Sequence, residues 1–264
     1  MTDSPIPLYL SKKPRDASGI ILHGLLGNNQ SMQELAGYLS TPYLIPDLVG
    51  HGKSPSPNEL KHYTLDAMAS QIHKITEESL QTPFDLIGYS MGARLALRYA
   101  IENKNDLRSL TLIGGTPGIQ EDASRHQRAL DDVRKVALLE DRGILEFINF
   151  WEKQPIFSSQ RRLPAEKLLE QRRIRLTTKP MPLANHLRAS GSGVMNPLWN
   201  QIHELCIPVL ILVGAYDAKY IEIGERMKSI IPMSTLKIIN GAGHAVHLEK
   251  PEESANAINK FIGG

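Results

Sequence analysis

A mostly parallel sheet flanked by helices is the fold class this sequence predicts, and three observations predict it. Short apolar runs recur without polar alternation, helical segments separate them, and the same rhythm resumes after one long helical interruption. Strands that lose alternation are those covered on both faces. Strand and helix in alternation select a parallel sheet with right-handed crossovers. In chain order the strands are expected at residues 19–23, 43–46, 84–89, 109–114, 207–214 and 235–239, and the helices at 31–39, 64–79, 93–101, 221–230 and 252–261. Thr64 supplies an N-cap with Asp66 in the first turn, and Pro251-Glu252-Glu253 opens the last helix in the same way. Between the fourth and fifth strands the pattern is helical and charge-rich. Residues 118–194 are therefore expected to form a helical cap inserted into a core of residues 1–117 and 195–264.

Bulk properties narrow the function classes. The chain has 264 residues, 41% apolar, enough to bury one large core without disulfides or a structural metal. Thirty basic residues against 28 acidic ones leave a net charge of +2, so nothing global attracts nucleic acid or an anionic membrane. Cys206 is the only cysteine, which excludes an intrachain disulfide; opening the apolar run 206–213, it reads as a small core filler. His and Cys show no zinc-type spacing, so no metal or cofactor is expected. Met1-Thr2-Asp3-Ser4-Pro5 lacks the pattern of a secretory leader, and no run approaches the ~20 apolar residues that span a bilayer. A cytoplasmic location is the expectation, and oligomeric state stays open.

The chemistry concentrates in four loops. Gly88-Tyr89-Ser90-Met91-Gly92 follows the apolar 84–87 run and precedes the helical Ala93-Arg94-Leu95-Ala96-Leu97. This is G-x-S-x-G in the strand–turn–helix setting of a nucleophile elbow. A serine hydroxyl needs a base, and the base needs an orienter. Asp217 stands just beyond the fifth strand and His244 just beyond the sixth, in the order serine, acid, histidine of the α/β-hydrolase fold. Apart, Asp217 could be a helix cap and His244 a solvated loop residue; together with Ser90 they predict a catalytic triad. Ile20-Ile21-Leu22-His23-Gly24-Leu25 runs a strand into His-Gly, so the backbone amides of Leu25 and Met91 are the expected oxyanion donors. His23 is expected to brace that loop. Asp47-Leu48-Val49-Gly50-His51-Gly52-Lys53-Ser54 has the wrong spacing for a phosphate loop and matches a structural D-x-x-G-x-G-x-S segment.

From about residue 20 to 261 the chain resembles the 2-succinyl-6-hydroxy-2,4-cyclohexadiene-1-carboxylate synthases of menaquinone and phylloquinone biosynthesis. The discriminating pieces are Gly88-Tyr89-Ser90-Met91-Gly92-Ala93-Arg94, Phe150-Trp151-Glu152-Lys153-Gln154-Pro155-Ile156-Phe157 and Leu183-Ala184-Asn185-His186-Leu187-Arg188, with Val213-Gly214-Ala215-Tyr216-Asp217-Ala218-Lys219-Tyr220 and Gly241-Ala242-Gly243-His244-Ala245-Val246-His247-Leu248-Glu249 completing the match. The resemblance implies a lyase that eliminates pyruvate from a small anionic substrate, with the triad acting as a base and no covalent acyl intermediate. It also implies that Arg94, Arg125 and Arg175 bind substrate carboxylates while Tyr89 and Trp151 line the pocket. Residues 120–190 hold ten arginines and ten acids, so many of these arginines must be paired, and Arg128, Arg172 and Arg188 rival the two cap assignments. Two other classes fit the same fold: a carboxylesterase or carbon–carbon bond hydrolase, and a small-molecule receptor with vestigial turnover. Dehalogenase chemistry conflicts with serine at the elbow.

Overall fold

The computed structural model describes residues 5–263; Met1–Ser4, read above for a leader, lie outside the described residues. Eight strands form: β1 (Tyr9–Leu10), β2 (Gly19–Leu22), β3 (Tyr43–Leu44), β4 (Pro46–Asp47), β5 (Phe84–Tyr89), β6 (Leu107–Ile113), β7 (Val209–Gly214) and β8 (Ser234–Ile239). Six of them make one sheet in the order β3-β2-β5-β6-β7-β8, and every neighbouring pair is parallel. β2, β5 and β7 are buried along almost their whole length, because helices cover both faces. Leu22, Leu86, Leu112 and Ile211 point to one face, and Ile21, Ile87, Ile113 and Leu212 to the other, each into its own hydrophobic cluster.

Helices α1 (Gln33–Gly37), α2 (Leu65–Ser79), α3 (Met91–Glu102), α4 (Asp122–Trp151), α5 (Ala165–Leu176), α6 (Pro180–Ser190), α7 (Ala218–Ile230), α8 (Val246–Glu249) and α9 (Pro251–Gly263) complete the fold. The Thr64 side chain accepts from the Ala67 amide, as its sequence position predicts. Helices α4, α5 and α6, with a 3-10 segment at Pro155–Arg162, make the insertion between β6 and β7. Gly143, at φ 76°, breaks α4 into two helical arms. Among the described residues, no helix is long and apolar enough to cross a membrane.

Three sequence expectations shift. Cys206 is exposed, since Pro208 delays the ladder and β7 begins only at Val209. The 43–46 run is divided: β3 joins the main sheet while β4 pairs antiparallel with β1, a two-residue strand too short to carry a periodic signal. β8 is half exposed, as befits the sheet edge.

From β2 the chain moves outward to β3 and then crosses back to β5 on the other side of β2. That reversal opens a crevice beyond the carboxyl ends of β2 and β5, where ligand sites of such sheets form. The loops 23–27 and 88–92 both lie there.

Candidate active site

Ser90 sits between β5 and α3 at φ 52° and ψ −104°, a backbone conformation that costs a non-glycine residue on the order of 1–3 kcal/mol. Its neighbours make the turn possible. A Cβ on Gly88 would lie 2.3 Å from the Gly92 carbonyl oxygen, and one on Gly92 would lie 2.4 Å from that of Leu22. The Ser90 amide is fixed by a 2.9 Å bond to the Ile113 carbonyl on β6. The hydroxyl is thereby held at the N-terminus of α3.

His244 follows β8 in a loop and is 3% exposed, so a partner is needed for any charge it acquires. Ser90 Oγ lies 3.1 Å from His244 Nε2, and His244 Nδ1 lies 2.8 Å from Asp217 Oδ2. Ser90 donates to the ring, and the ring donates to the carboxylate. These distances suit a base that takes the serine proton while its tautomer is held from behind. Glu249 braces the loop: its carboxylate accepts from the Gly243 amide at 2.9 Å and the Ala245 amide at 3.3 Å, on either side of His244.

The 23–27 turn completes this half of the site. The Gly27 amide donates to the Gly24 carbonyl at 3.1 Å, and Leu26 takes φ 64°, where a glycine is usual. The Leu26 side chain is buried among Val136, Leu139, Phe147, Leu183 and Leu187 of the cap, which holds the strained turn and the Leu25 amide in place. Met91 is the first residue of α3, so its amide has no intrahelical acceptor. His23 has both nitrogens engaged. Nδ1 donates to the Gly24 carbonyl at 2.8 Å and Nε2 accepts from the Leu48 amide at 3.0 Å; burial pushes its pKa down to about 4. Asp47 likewise accepts from Asn29 and Lys53 amides, which keeps the following glycine loop structural.

A family profile for the alpha/beta hydrolase fold matches residues 20–251. Over 246 residues the chain is 34% identical to a putative 2-succinyl-6-hydroxy-2,4-cyclohexadiene-1-carboxylate synthase of Bacillus subtilis, covering 92% of this chain and 89% of that protein. The chain belongs to this synthase family, on the α/β-hydrolase fold. The Serratia proteamaculans synthase is 28% identical over 245 residues, with 92% of each chain covered. The solved structure of MenH from S. aureus superposes with a TM-score of 0.89 at 34% identity, covering 100% of this chain and 98% of that one.

Within this family frame the cap arginines sort themselves by their partners. Arg94 lies in α3 one turn beyond Ser90; its guanidinium reaches the Ser190 carbonyl at the end of α6, and burial lowers its pKa to about 10. Arg175 is 7% exposed, bonded to Glu152 at 3.0 Å, and burial lowers its pKa as well. With Tyr89, Trp151, Leu25 and His247 it lines a cavity of 40 Å³ at the oxyanion turn. Tyr89 packs 3.9 Å from the His247 ring, and burial raises its phenol pKa. Arg125 does not join them. Asp122, 2.5 Å away, and the Ile119 and Gln120 carbonyls take up its guanidinium. Arg128, one turn further along α4, is bonded through Nε to the buried Asp132 at 3.0 Å and lies near enough to Arg94 and Tyr220 to influence both. Arg172 shares Glu152 with Arg175, and Arg188 pairs with Glu140 at the surface.

The sequence assigned no role to two groups that stand at the triad. Tyr220 packs 4.5 Å from the His244 ring, and Phe157 of the cap 6.4 Å from it. Tyr220 was within reach, standing one helical turn after Asp217 at the start of α7. Phe157 closes the 150–157 segment that carries the family resemblance, but nothing local to it points to His244. Among the described residues no group of three or more His, Cys, Asp or Glu side chains is placed to hold a metal.

Proposed function

We propose that the protein is a 2-succinyl-6-hydroxy-2,4-cyclohexadiene-1-carboxylate synthase that uses Ser90, His244 and Asp217 as a base. The observation that carries the role of these residues is the relay from Ser90 Oγ through His244 to Asp217, with two buried arginines beside it. The substrate is 2-succinyl-5-enolpyruvyl-6-hydroxy-3-cyclohexene-1-carboxylate, a triple carboxylate. His244 draws the proton from Ser90, and Ser90 takes the ring proton beside the succinyl ketone. The electron pair moves onto the ketone oxygen, where the Leu25 and Met91 amides stabilise it. It then returns through the ring: the 3,4 double bond shifts, the carbon–oxygen bond at position 5 breaks, and enolpyruvate leaves to become pyruvate. No bond forms between Ser90 and substrate.

Arg94, Arg128 and Arg175 hold carboxylates, and Tyr89 and Trp151 shape the ring site. Fixed, desolvated guanidiniums suit this task because their forks match carboxylates and lose little order on binding. The 40 Å³ cavity has room for roughly one or two waters, not a substituted ring, so cap side chains part as substrate enters. This chemistry calls for neither metal nor cofactor, and a small anion in the cytoplasm is the partner.

The test is a coupled assay in which the unstable precursor is generated enzymatically, this protein is added, and pyruvate is followed. Fast release that is lost in Ser90→Ala, with little cleavage of short aryl esters, supports the synthase. Background-rate release with brisk Ser90-dependent ester cleavage overturns it in favour of a hydrolase.

A further inference from the structure

A second cavity of 790 Å³ opens between α4, the turn after α6 and α7. One side of α7 faces it: Lys219, Ile223 and Arg226 follow the i, i+4, i+7 spacing, and Tyr220 lies beside them. Tyr220 joins the two sites, since its ring also packs 4.5 Å from His244. The opposite wall carries Arg128. Trp199 lines it too, with the Arg226 guanidinium 3.9 Å from the centre of its ring.

Three features give this cleft a ligand chemistry. Ser192 is 93% buried, by its 7% exposure, and lines the cavity, yet its Oγ has no hydrogen-bond partner. A buried hydroxyl left unpaired is unfavourable until something bonds to it. Lys219 lines the cleft and makes no ion pair among the described residues. The two acids on the wall are already engaged: Glu121 accepts from the Ala123 and Ser124 amides, and Asp131 is bound to Arg134 and Gln127. Arg128 pairs with the buried Asp132 and Arg226 bonds only the uncharged Gln120, so Lys219 and Arg226 are the two cations of this wall without a carboxylate partner among the described residues.

The two arginine environments differ in a way that matters for a reaction that splits its substrate. Arg94 and Arg175 are buried and suited to the carboxylates that must stay fixed while the ring proton is taken. Lys219 and Arg226 are exposed, where ion pairs are weak and screened. A group that must depart is best held there. Resting on the synthase reading, we propose that this cleft is the exit subsite for the released three-carbon 2-oxo acid. Lys219 and Arg226 attract its carboxylate, and the Ser192 hydroxyl donates to it.

Direct binding of pyruvate by saturation-transfer NMR tests this without requiring turnover, with wild type, Lys219→Ala/Arg226→Ala and Ser192→Ala compared after thermal melts show each to be folded. The double variant is expected to weaken pyruvate binding by at least about fivefold, the scale of one or two exposed ion pairs, and Ser192→Ala by a smaller factor. In the coupled assay, product inhibition by pyruvate should weaken in parallel, while inhibition by a succinylbenzoate, which mimics the retained ring, stays unchanged. Unchanged pyruvate binding in the folded double variant overturns the proposal. So does weakened succinylbenzoate inhibition with pyruvate binding intact, which would give the cleft to the retained part of the substrate. If the wild type binds pyruvate here but eliminates none, the synthase reading fails, while the cleft stands as a 2-oxo acid site.

Discussion

The sheet core and the cap hold their functional groups by different means. In the core, Ser90 is fixed by backbone contacts that leave no space for a side chain at Gly88 or Gly92, and His244 by two amides bound to Glu249. In the cap, seven of the ten arginines between residues 120 and 190 are in ion pairs, and which one faces inward depends on which acid stands nearby. Backbone packing is stiff and local. Side-chain pairing is soft and can be redistributed. On the proposed synthase reading, the base and Arg94 lie on the rigid half, and the remaining carboxylate contacts lie on the adjustable half.

The largest expected effect is on the rigid half. Ser90→Ala should lower kcat by about 10⁴-fold while leaving binding of a product analogue nearly unchanged; residual activity within tenfold of wild type would remove Ser90 from the mechanism. Next comes Arg94→Ala, expected to lower kcat/KM on the anionic substrate by about 10²-fold, the scale of a lost buried charged hydrogen bond, and far less on a neutral aryl ester. Equal losses on both would make Arg94 a strut between α3 and α6.

Two cap variants sharpen the contrast between neighbours on one helix. Arg128→Ala should raise KM by about tenfold or more, whereas Arg125→Ala, losing only a surface pair, should stay within about twofold. Steady-state kinetics on both decide it, and the reverse order would move recognition to Arg125. Glu249→Ala should lower kcat by roughly tenfold with little change in KM, since it loosens the loop that aims His244 rather than any substrate contact.

The smallest effect on rate, but a general one on stability, concerns the seam between the halves. His23 and His51 of the core and His186 of α6 pack in sequence, the first pair edge-on and the second tilted, with ring centres 4.9 and 4.6 Å apart. Burial lowers all three pKa values, to about 4 for His23, about 3 for His51 and well below the ordinary range for His186. Each is uncharged in the folded chain and takes up a proton on unfolding below about pH 6.5. Stability is therefore full above that pH and falls as pH drops toward 4, by up to about 1.4 kcal/mol per pH unit for each histidine. Melting curves from pH 7.5 to 4.5 measure this, and His186→Asn should flatten the slope. A flat wild-type profile would mean that these rings are hydrated.

The sequence by itself determined the sheet, the insertion and the meeting of Ser90, Asp217 and His244, because each has a local cause. Buried parallel strands must be continuously apolar, an elbow needs its glycines beside Ser90, and the acid and base must follow strand ends in one order. The same local logic marked Arg94, one turn from the serine. Tertiary structure decided the remainder. It exposed Cys206, because Pro208 postponed the strand, and it tied Arg125 to the exposed Asp122 and Arg128 to the buried Asp132, close enough to Arg94 to influence it. It also set Phe157 and Tyr220 against His244 and left the buried Ser192 hydroxyl without a hydrogen-bond partner beside the cleft of Lys219 and Arg226. Residues three apart on a charged helix have the same local pattern, and only the surface packed against the helix distinguishes them.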